Sequence, residues 1–167
     1  MNIAIVGATG NVGRKTLEVL EKKELKFDNL YLVASSKSAG IKIKFKGKEY
    51  EVVDLENFDF SKAKIIFFAA GRKISEKFAQ KASKKSLVID NSSFFRMDPD
   101  VPLIVPQVNS KDLNYVKKNI IANPNCSTAQ LVIALKPLHD LFVIKRVVIS
   151  TYQSVSGGGK APMDELI

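Results

Sequence analysis

The apolar run Ile3-Ala4-Ile5-Val6 leads straight into Gly7-Ala8-Thr9-Gly10-Asn11-Val12-Gly13, and a helical pattern follows over residues 15–23. This junction limits the possible folds more than any other part of the chain. The run suits a short buried strand, and Val12, Thr16, Leu17, Val19 and Leu20 recur at the spacing of one helix face. Glycines between strand and helix let the backbone approach a pyrophosphate, whose charge meets the helix N-terminus. The spacing is Gly-x-x-Gly-x-x-Gly instead of the commoner Gly-x-Gly-x-x-Gly, and a plain tight turn would also use these glycines. Their place between strand and helix favours nucleotide binding, with Gly7, Thr9, Gly10, Asn11, Val12 and Gly13 at the cofactor.

A second strand is expected at Leu30–Ala34, beside the first. Sites selective for NAD place an acidic side chain at its end, roughly 20 residues after the glycine loop, to hold the ribose 2′-hydroxyl. This chain reads Ser35-Ser36-Lys37-Ser38 there. Hydroxyls and a lysine suit a 2′-phosphate, so the expected cofactor is NADP; a solvated polar turn is the bland alternative.

Residues 41–53 alternate apolar and polar around Gly47, a hairpin pattern with one wet face. Buried strands are expected at 64–70, ending at Gly71, and at 86–90, with an amphipathic helix over 74–83 between them. Strands alternating with helices imply an α/β fold, a Rossmann-like, doubly wound and mostly parallel sheet. Ligands on such sheets bind at the carboxyl ends of the strands, where the glycine loop, the serine-lysine turn, Gly71 and Asp90-Asn91 would gather. Arg96 follows in Asn91-Ser92-Ser93-Phe94-Phe95-Arg96. Its planar fork fits carboxylate or phosphate in two-pronged fashion, and a surface ion pair is the competing explanation.

Leu103-Ile104-Val105 could form a short strand, and Ile120-Ile121-Ala122 leads into Asn123-Pro124-Asn125-Cys126. The single cysteine of the chain falls at the expected first turn of an apolar helix over 131–138. There the helix dipole and unpaired backbone N–H groups favour a thiolate, which is the nucleophilic form. A lone cysteine can equally be a small buried hydrophobe. The only histidine, His139, lies about 20 Å further along the helix at 1.5 Å per residue, too far to serve that thiol as a base. With one His and one Cys no structural zinc site is expected. Residues 142–151 are rich in β-formers, and Gly157-Gly158-Gly159 after them offer either a close approach to a ligand or a flexible linker.

The net charge of +9 raises the question of nucleic acid. Its lysines are scattered over expected helix faces and hairpins, without interleaved aromatic platforms, so no nucleic-acid partner is expected. No apolar run reaches the ~18 residues of a membrane span. One cysteine excludes an internal disulfide framework, which makes the cytoplasm the expected compartment.

Taken together, the glycine loop, Ala34 to Gly40, Asp90 to Asp98, Asn123 to Thr128 and Ser150 to Gly157 resemble the aspartate-semialdehyde dehydrogenases, in order and over essentially the whole chain. The resemblance implies Cys126 as the nucleophile that carries an acyl thioester and Gln153 as the residue that orients substrate. It implies Arg96 and Asn125 at the phosphate, and Thr9 to Val12, Lys37, Ser38, Ser156 and Gly157 at NADP. The substrates would be aspartyl phosphate, aspartate semialdehyde and phosphate, in aspartate-family amino-acid biosynthesis.

Members of that family are longer, and their catalytic histidine and a substrate-binding arginine come from the later part of the chain; His139 does not match that motif. The expectation is therefore an NADP-binding domain over 1–124 and the start of a catalytic and dimerisation domain over 125–167, an incomplete and inactive piece. A strand over 146–151 with unpaired edges would favour homo-oligomers. A non-catalytic nucleotide-binding module with the same fold, or a related acyl-phosphate reductase, are the alternatives.

Overall fold

A computed structural model describes residues 1–166. In chain order the elements are β1 (Ile3–Val6), α1 (Asn11–Lys22), β2 (Leu30–Ala34), β3 (Lys42–Phe45), β4 (Lys48–Asp54), β5 (Ile65–Phe68) and α2 (Arg72–Ser83), then β6 (Leu87–Asp90), α3 (Pro106–Asn109), β7 (Ile120–Ala122), α4 (Cys126–Phe142) and α5 (Lys160–Leu166). The strands form one seven-stranded sheet in the order β3-β4-β2-β1-β5-β6-β7. Every neighbouring pair is parallel except the β3–β4 hairpin. The mostly parallel, Rossmann-like α/β sheet anticipated from the alternation of strands and helices is present.

Period-two alternation divides the core between the two faces of the sheet. Ile3 and Ile5 of β1 join Leu17 and Leu20 of α1 and the inward side chains of β2, Ile43, Phe45 and Val52. Ala4 and Val6 point the other way and pack with Phe78, Ala79 and Ala82 of α2, together with Phe60, Phe68, Val88 and Phe95. Each large apolar side chain so buried contributes about 1.5–3 kcal/mol, and the central strand β1 is buried on both sides, which explains its unbroken apolar run.

Register places the functional edge. Val6 lies opposite Val33 and Phe68, Phe68 opposite Asp90, and Asp90 opposite Ala122. The strands therefore end together, and the segments beginning at Gly7, Ser35, Ala69, Asn91 and Asn123 leave the sheet on one edge.

Four expectations need correction. Helix α1 begins at Asn11, not near residue 15, because Gly10 with extended backbone acts as its N-cap and the glycine loop is correspondingly short. Residues 103–105 make only one isolated bridge, Leu103 to Ala122. Helix α4 runs from Cys126 through Pro137 to Phe142, well past residue 138, and stops where Val143 takes a left-handed φ of 53°. Finally, no strand forms over 146–151: residues 143–154 lack regular secondary structure. An extended segment is held by pairing its N–H and C=O groups with a neighbour, and this one lies beside no strand of the described sheet.

Candidate active site

The glycine loop is built for close approach. Gly7 has φ 87°, and a Cβ there would meet the carbonyl oxygen of Ala69 at 2.6 Å, so the crossing of this loop with the end of β5 leaves no room for a side chain. A Cβ on Gly13 would lie 2.1 Å from the Gly7 carbonyl oxygen, which lets α1 start directly against the loop. The α1 N-terminus has no side-chain cap and no acidic residue in its first turn. Its orphan N–H groups and the positive end of its dipole are left for an anion.

A cavity of about 700 Å³ opens beside this terminus. It is lined by Gly7, Thr9, Gly10, Asn11 and Val12, by Ser35 at the end of β2, and by Ser156 and Gly157 from the far end of the chain. Gly13 is not on the wall and serves helix packing instead. Ser36, Lys37 and Ser38 form a 3₁₀ turn just outside the cavity, tied to it by the hydrogen bond of Thr9 Oγ1 to Ser38 Oγ at 3.4 Å. Gly71, also off the wall, is the N-cap of α2 with φ 83°, a conformation that favours glycine. Gly158 and Gly159 join Gly157 on the wall, and no sequence motif points to Leu55, Ala69, Ala70 and Ile74, which also line it. Leu55 and Ile74 are ordinary apolar residues in sequence, and only the sheet order brings them to the glycine loop.

Cys126 is the first residue of α4 and is exposed. Asn125 is the N-cap; its Oδ1 accepts from Ser127 N at 3.0 Å and Ser127 Oγ at 2.6 Å, which fixes the entry to the helix. The same oxygen lies 3.7 Å from Cys126 Sγ. Cys126 lines the cofactor-side cavity and also a second one of about 620 Å³, shared with Ser127, Thr128, Gln130, Ile149 and residues 150–154, Gln153 among them. The thiol thus stands on a wall common to both spaces. His139 lines a separate small cavity with Val108, Leu135 and Val147.

Arg96 lines neither of the two larger cavities. It is partly buried, and its Nε donates to the Asn123 carbonyl at 2.9 Å while Nη2 donates to the Asn91 carbonyl at 3.1 Å. Asn123 Nδ2 donates to Asn91 Oδ1 at 2.9 Å, so the chain leaving β6 and the chain leaving β7 are laced together three residues before Cys126. The loop bearing Arg96 is held at its far side by Lys118, which donates to both carboxylate oxygens of Asp98 at 2.9 Å. That hydrogen bond, with a second from the Asp100 N–H, holds the Asp98 carboxyl below its ordinary 3.8, against a small opposing effect of burial. Among the described residues, no group of three or more His, Cys, Asp or Glu side chains could hold a metal ion. Nor is any helix among them long and apolar enough to cross a membrane.

Known proteins are similar to the chain over nearly its whole length. The family described as "Semialdehyde dehydrogenase, NAD binding domain" matches residues 2–116, and "Semialdehyde dehydrogenase, dimerisation domain" matches residues 135–167. The aspartate-semialdehyde dehydrogenase of Aquifex aeolicus is 53% identical over 98% of this chain and 49% of its own length. The solved structure of aspartate semialdehyde dehydrogenase II of Vibrio cholerae, complexed with ASA, superposes with a TM-score of 0.92 at 49% identity, covering 99% of this chain and 50% of that one. The enzyme of Candida albicans, solved with NADP, gives 0.66 at 28% identity over 84% of this chain and 47% of that one. The chain spans about half the length of the curated relatives it matches. With an NAD-binding sheet, its cysteine helix and the start of the dimerisation domain in the same order, the chain belongs to the aspartate-semialdehyde dehydrogenase family and corresponds to the N-terminal portion of its members.

Proposed function

We propose that the chain is the cofactor-binding half of an NADP-dependent aspartate-semialdehyde dehydrogenase, which interconverts aspartyl phosphate and aspartate semialdehyde through a thioester on Cys126. The observation that carries this reading is the position of Cys126 on the wall of both cavities, one bordered by the glycine loop and the other by Gln153. A nucleophile that must face a cofactor and a substrate at once needs such a position.

The uncapped α1 terminus and the cramped glycines at 7 and 13 fit a dinucleotide pyrophosphate. Thr9, Ser35, Ser36, Lys37 and Ser38 would receive the 2′-phosphate of NADP, with no carboxylate in that turn to repel it. When bound, NADP would supply the acceptor for the hydride of the reacting carbon. The chain's own residues do the rest. Cys126 Sγ forms a C–S bond to the aldehyde carbon, and Gln153 in the same cavity orients the substrate. After the oxidation a phosphate oxygen attacks the thioester carbonyl carbon, the C–S bond breaks, and the thiolate leaves. Asn125 beside the thiol and Arg96 with its uncommitted N–H groups would hold that phosphate.

Residues 1–124 would form the cofactor domain and 125–167 the start of the catalytic and dimerisation domain, in a cytoplasmic homo-oligomer. Among the described residues Asn125 Oδ1 is the hydrogen-bonding neighbour of Sγ, and an amide oxygen is no general base. A general acid–base is commonly worth 10²–10⁴-fold, so this chain alone should turn over very little.

The test is NADPH formation from aspartate semialdehyde and phosphate, by this chain and by the chain joined to the remaining half of a relative. The joined protein is expected to reduce NADP, and Cys126→Ser to abolish it. Reduction that survives Cys126→Ser, or none at all, overturns the proposal.

A further inference from the structure

Asp90, the last residue of β6, is fully buried, and among the described residues no salt bridge reaches it. Its carboxyl oxygens are engaged instead by Ser75 Oγ of α2 at 2.6 Å, Ser92 N at 3.1 Å and Ser92 Oγ at 2.7 Å. Placing a carboxyl group in a core costs free energy, and a Ser–Asp–Ser arrangement is worth keeping only where it fixes something. What it fixes is the path of the chain after β6. Ser92 Oγ in turn accepts from Phe94 N at 3.1 Å, which bends residues 91–94 back toward Arg96. The backbone carbonyl of Asp90 also accepts from Asn123 N at 2.8 Å, directly before the segment that enters α4.

We propose that Asp90, acting through Ser92, is a positioning residue for the Arg96 guanidinium and, through Asn123, for the approach to Cys126. It touches neither substrate nor cofactor. Its side chain sets the turn that lets Arg96 reach the carbonyls of Asn91 and Asn123 with Nε and Nη2, leaving the Nη1 side of the fork to an anion. Ser75 Oγ donates to Oδ1, the oxygen that also accepts from Ser92 N, and anchors Asp90 to α2, whereas Ser92 Oγ donates to Oδ2 and itself accepts from Phe94 N within the turn. The two serines therefore separate packing from positioning. This inference rests on the reading of Arg96 as the phosphate site.

The experiment measures how inorganic phosphate protects Cys126 of this chain from iodoacetamide, in the native chain and in Arg96→Lys, Ser92→Ala and Ser75→Ala, with a urea unfolding curve for each. Arg96→Lys reports on the reading itself and should remove the protection. Ser92→Ala is expected to raise the phosphate concentration for half-protection roughly tenfold, the scale of one charge-assisted hydrogen bond misplaced. Ser75→Ala should leave that concentration within about twofold while lowering the unfolding midpoint as much as Ser92→Ala does. Phosphate protection that is absent, or equal in the native chain and Arg96→Lys, overturns the phosphate-site reading and the proposal with it. Protection that depends on Arg96 but responds equally to both serine variants, or to neither, overturns the positioning role alone.

Discussion

Gly157 and Gln153 occupy a space that has room for only one side chain: a Cβ built at Gly157 would come within 2.0 Å of Gln153 Nε2 and 2.9 Å of its Cδ. Gly157→Ala must therefore displace the Gln153 amide, whereas Gly158→Ala meets the Pro162 ring, at 3.0 Å from Cγ and 3.4 Å from Cβ. Since Gln153 shares its cavity with Cys126, the expected result is selective. In Gly157→Ala the concentration of aspartate semialdehyde that protects Cys126 from alkylation should rise about tenfold, the cost of a misplaced polar contact. Gly158→Ala should behave like the native chain. Equal protection in both variants counts against a role for the Gln153 position.

At the other end of the cofactor cavity the constraint is backbone against backbone. Gly13→Ala places a methyl group 2.1 Å from the Gly7 carbonyl oxygen and 2.8 Å from Ala8 Cα, and neither can rotate away. Overpacking of this kind costs about 1–3 kcal/mol or more. The urea midpoint should fall accordingly, and NADPH binding, followed by its fluorescence, should weaken together with it as α1 is pushed off the loop. A variant of native stability would mean that the loop relaxes at no cost.

Much of this was legible in the sequence because local pattern and tertiary role coincide there. Ile3 to Val6 are buried on both faces, so a continuous apolar run was a sufficient signal, and the glycine at 13 is needed by contacts with Gly7 and Ala8, only a few residues away. The Asn-Pro-Asn-Cys stretch announced a helix start because capping is a local interaction, here Asn125 with Ser127. Where partners are distant, the pattern misled or stayed silent. The β-branched residues between Arg146 and Thr151 have strand propensity but no neighbouring strand in the described sheet, and propensity alone does not make a strand. Ser75 reads as an ordinary polar position of an amphipathic helix, and only the fold reveals that it faces Asp90, fifteen residues on. Helix α4, expected over 131–138, begins at Cys126 and runs on to Phe142.

The proposed preference for NADP should reside in charge at the turn after β2. Lys37 is exposed and outside the cavity wall, so a change there should not disturb the core. Lys37→Glu is expected to weaken NADPH binding by roughly tenfold or more while leaving NADH binding within about twofold, because only the former carries a phosphate to be repelled. Fluorescence titration with both cofactors measures the ratio directly. An unchanged ratio would remove Lys37 from the 2′-phosphate site.

The acid limb of stability should carry the signature of Asp98. Its carboxyl sits below 3.8 in the folded chain, chiefly because Lys118 donates to it. A depressed folded value means that the contribution is fully present above the unfolded value and is lost as pH falls through the folded one. Stability should thus hold down to about pH 5 and then decline, and in Asp98→Asn that part of the decline should be absent. The side chains of Lys118 and Asp98 are 38% and 23% exposed, so salt should shrink the difference between the two curves. Urea midpoints measured from neutral pH into the acid range, at low and high salt, test both the sign and the screening.

Self-association is expected to involve the end of α4 and the segment after it. Leu141 and Phe142 are each 75% exposed, Val148 79% and Tyr152 fully so, a run of large apolar side chains that a solitary surface rarely shows. The stretch lies within the residues that match a dimerisation domain. Burying it against a second copy would remove this apolar area from water and could supply the neighbouring backbone that residues 146–151 lack. Sedimentation velocity should show association that strengthens with protein concentration, and Phe142→Asp with Val148→Asp should return the chain to monomer with its sheet intact by circular dichroism. Because those two side chains belong to neither buried core cluster, a loss of folding in the double variant is not expected. A chain that stays monomeric at every concentration, or that associates equally well with both aspartates in place, would move the interface elsewhere.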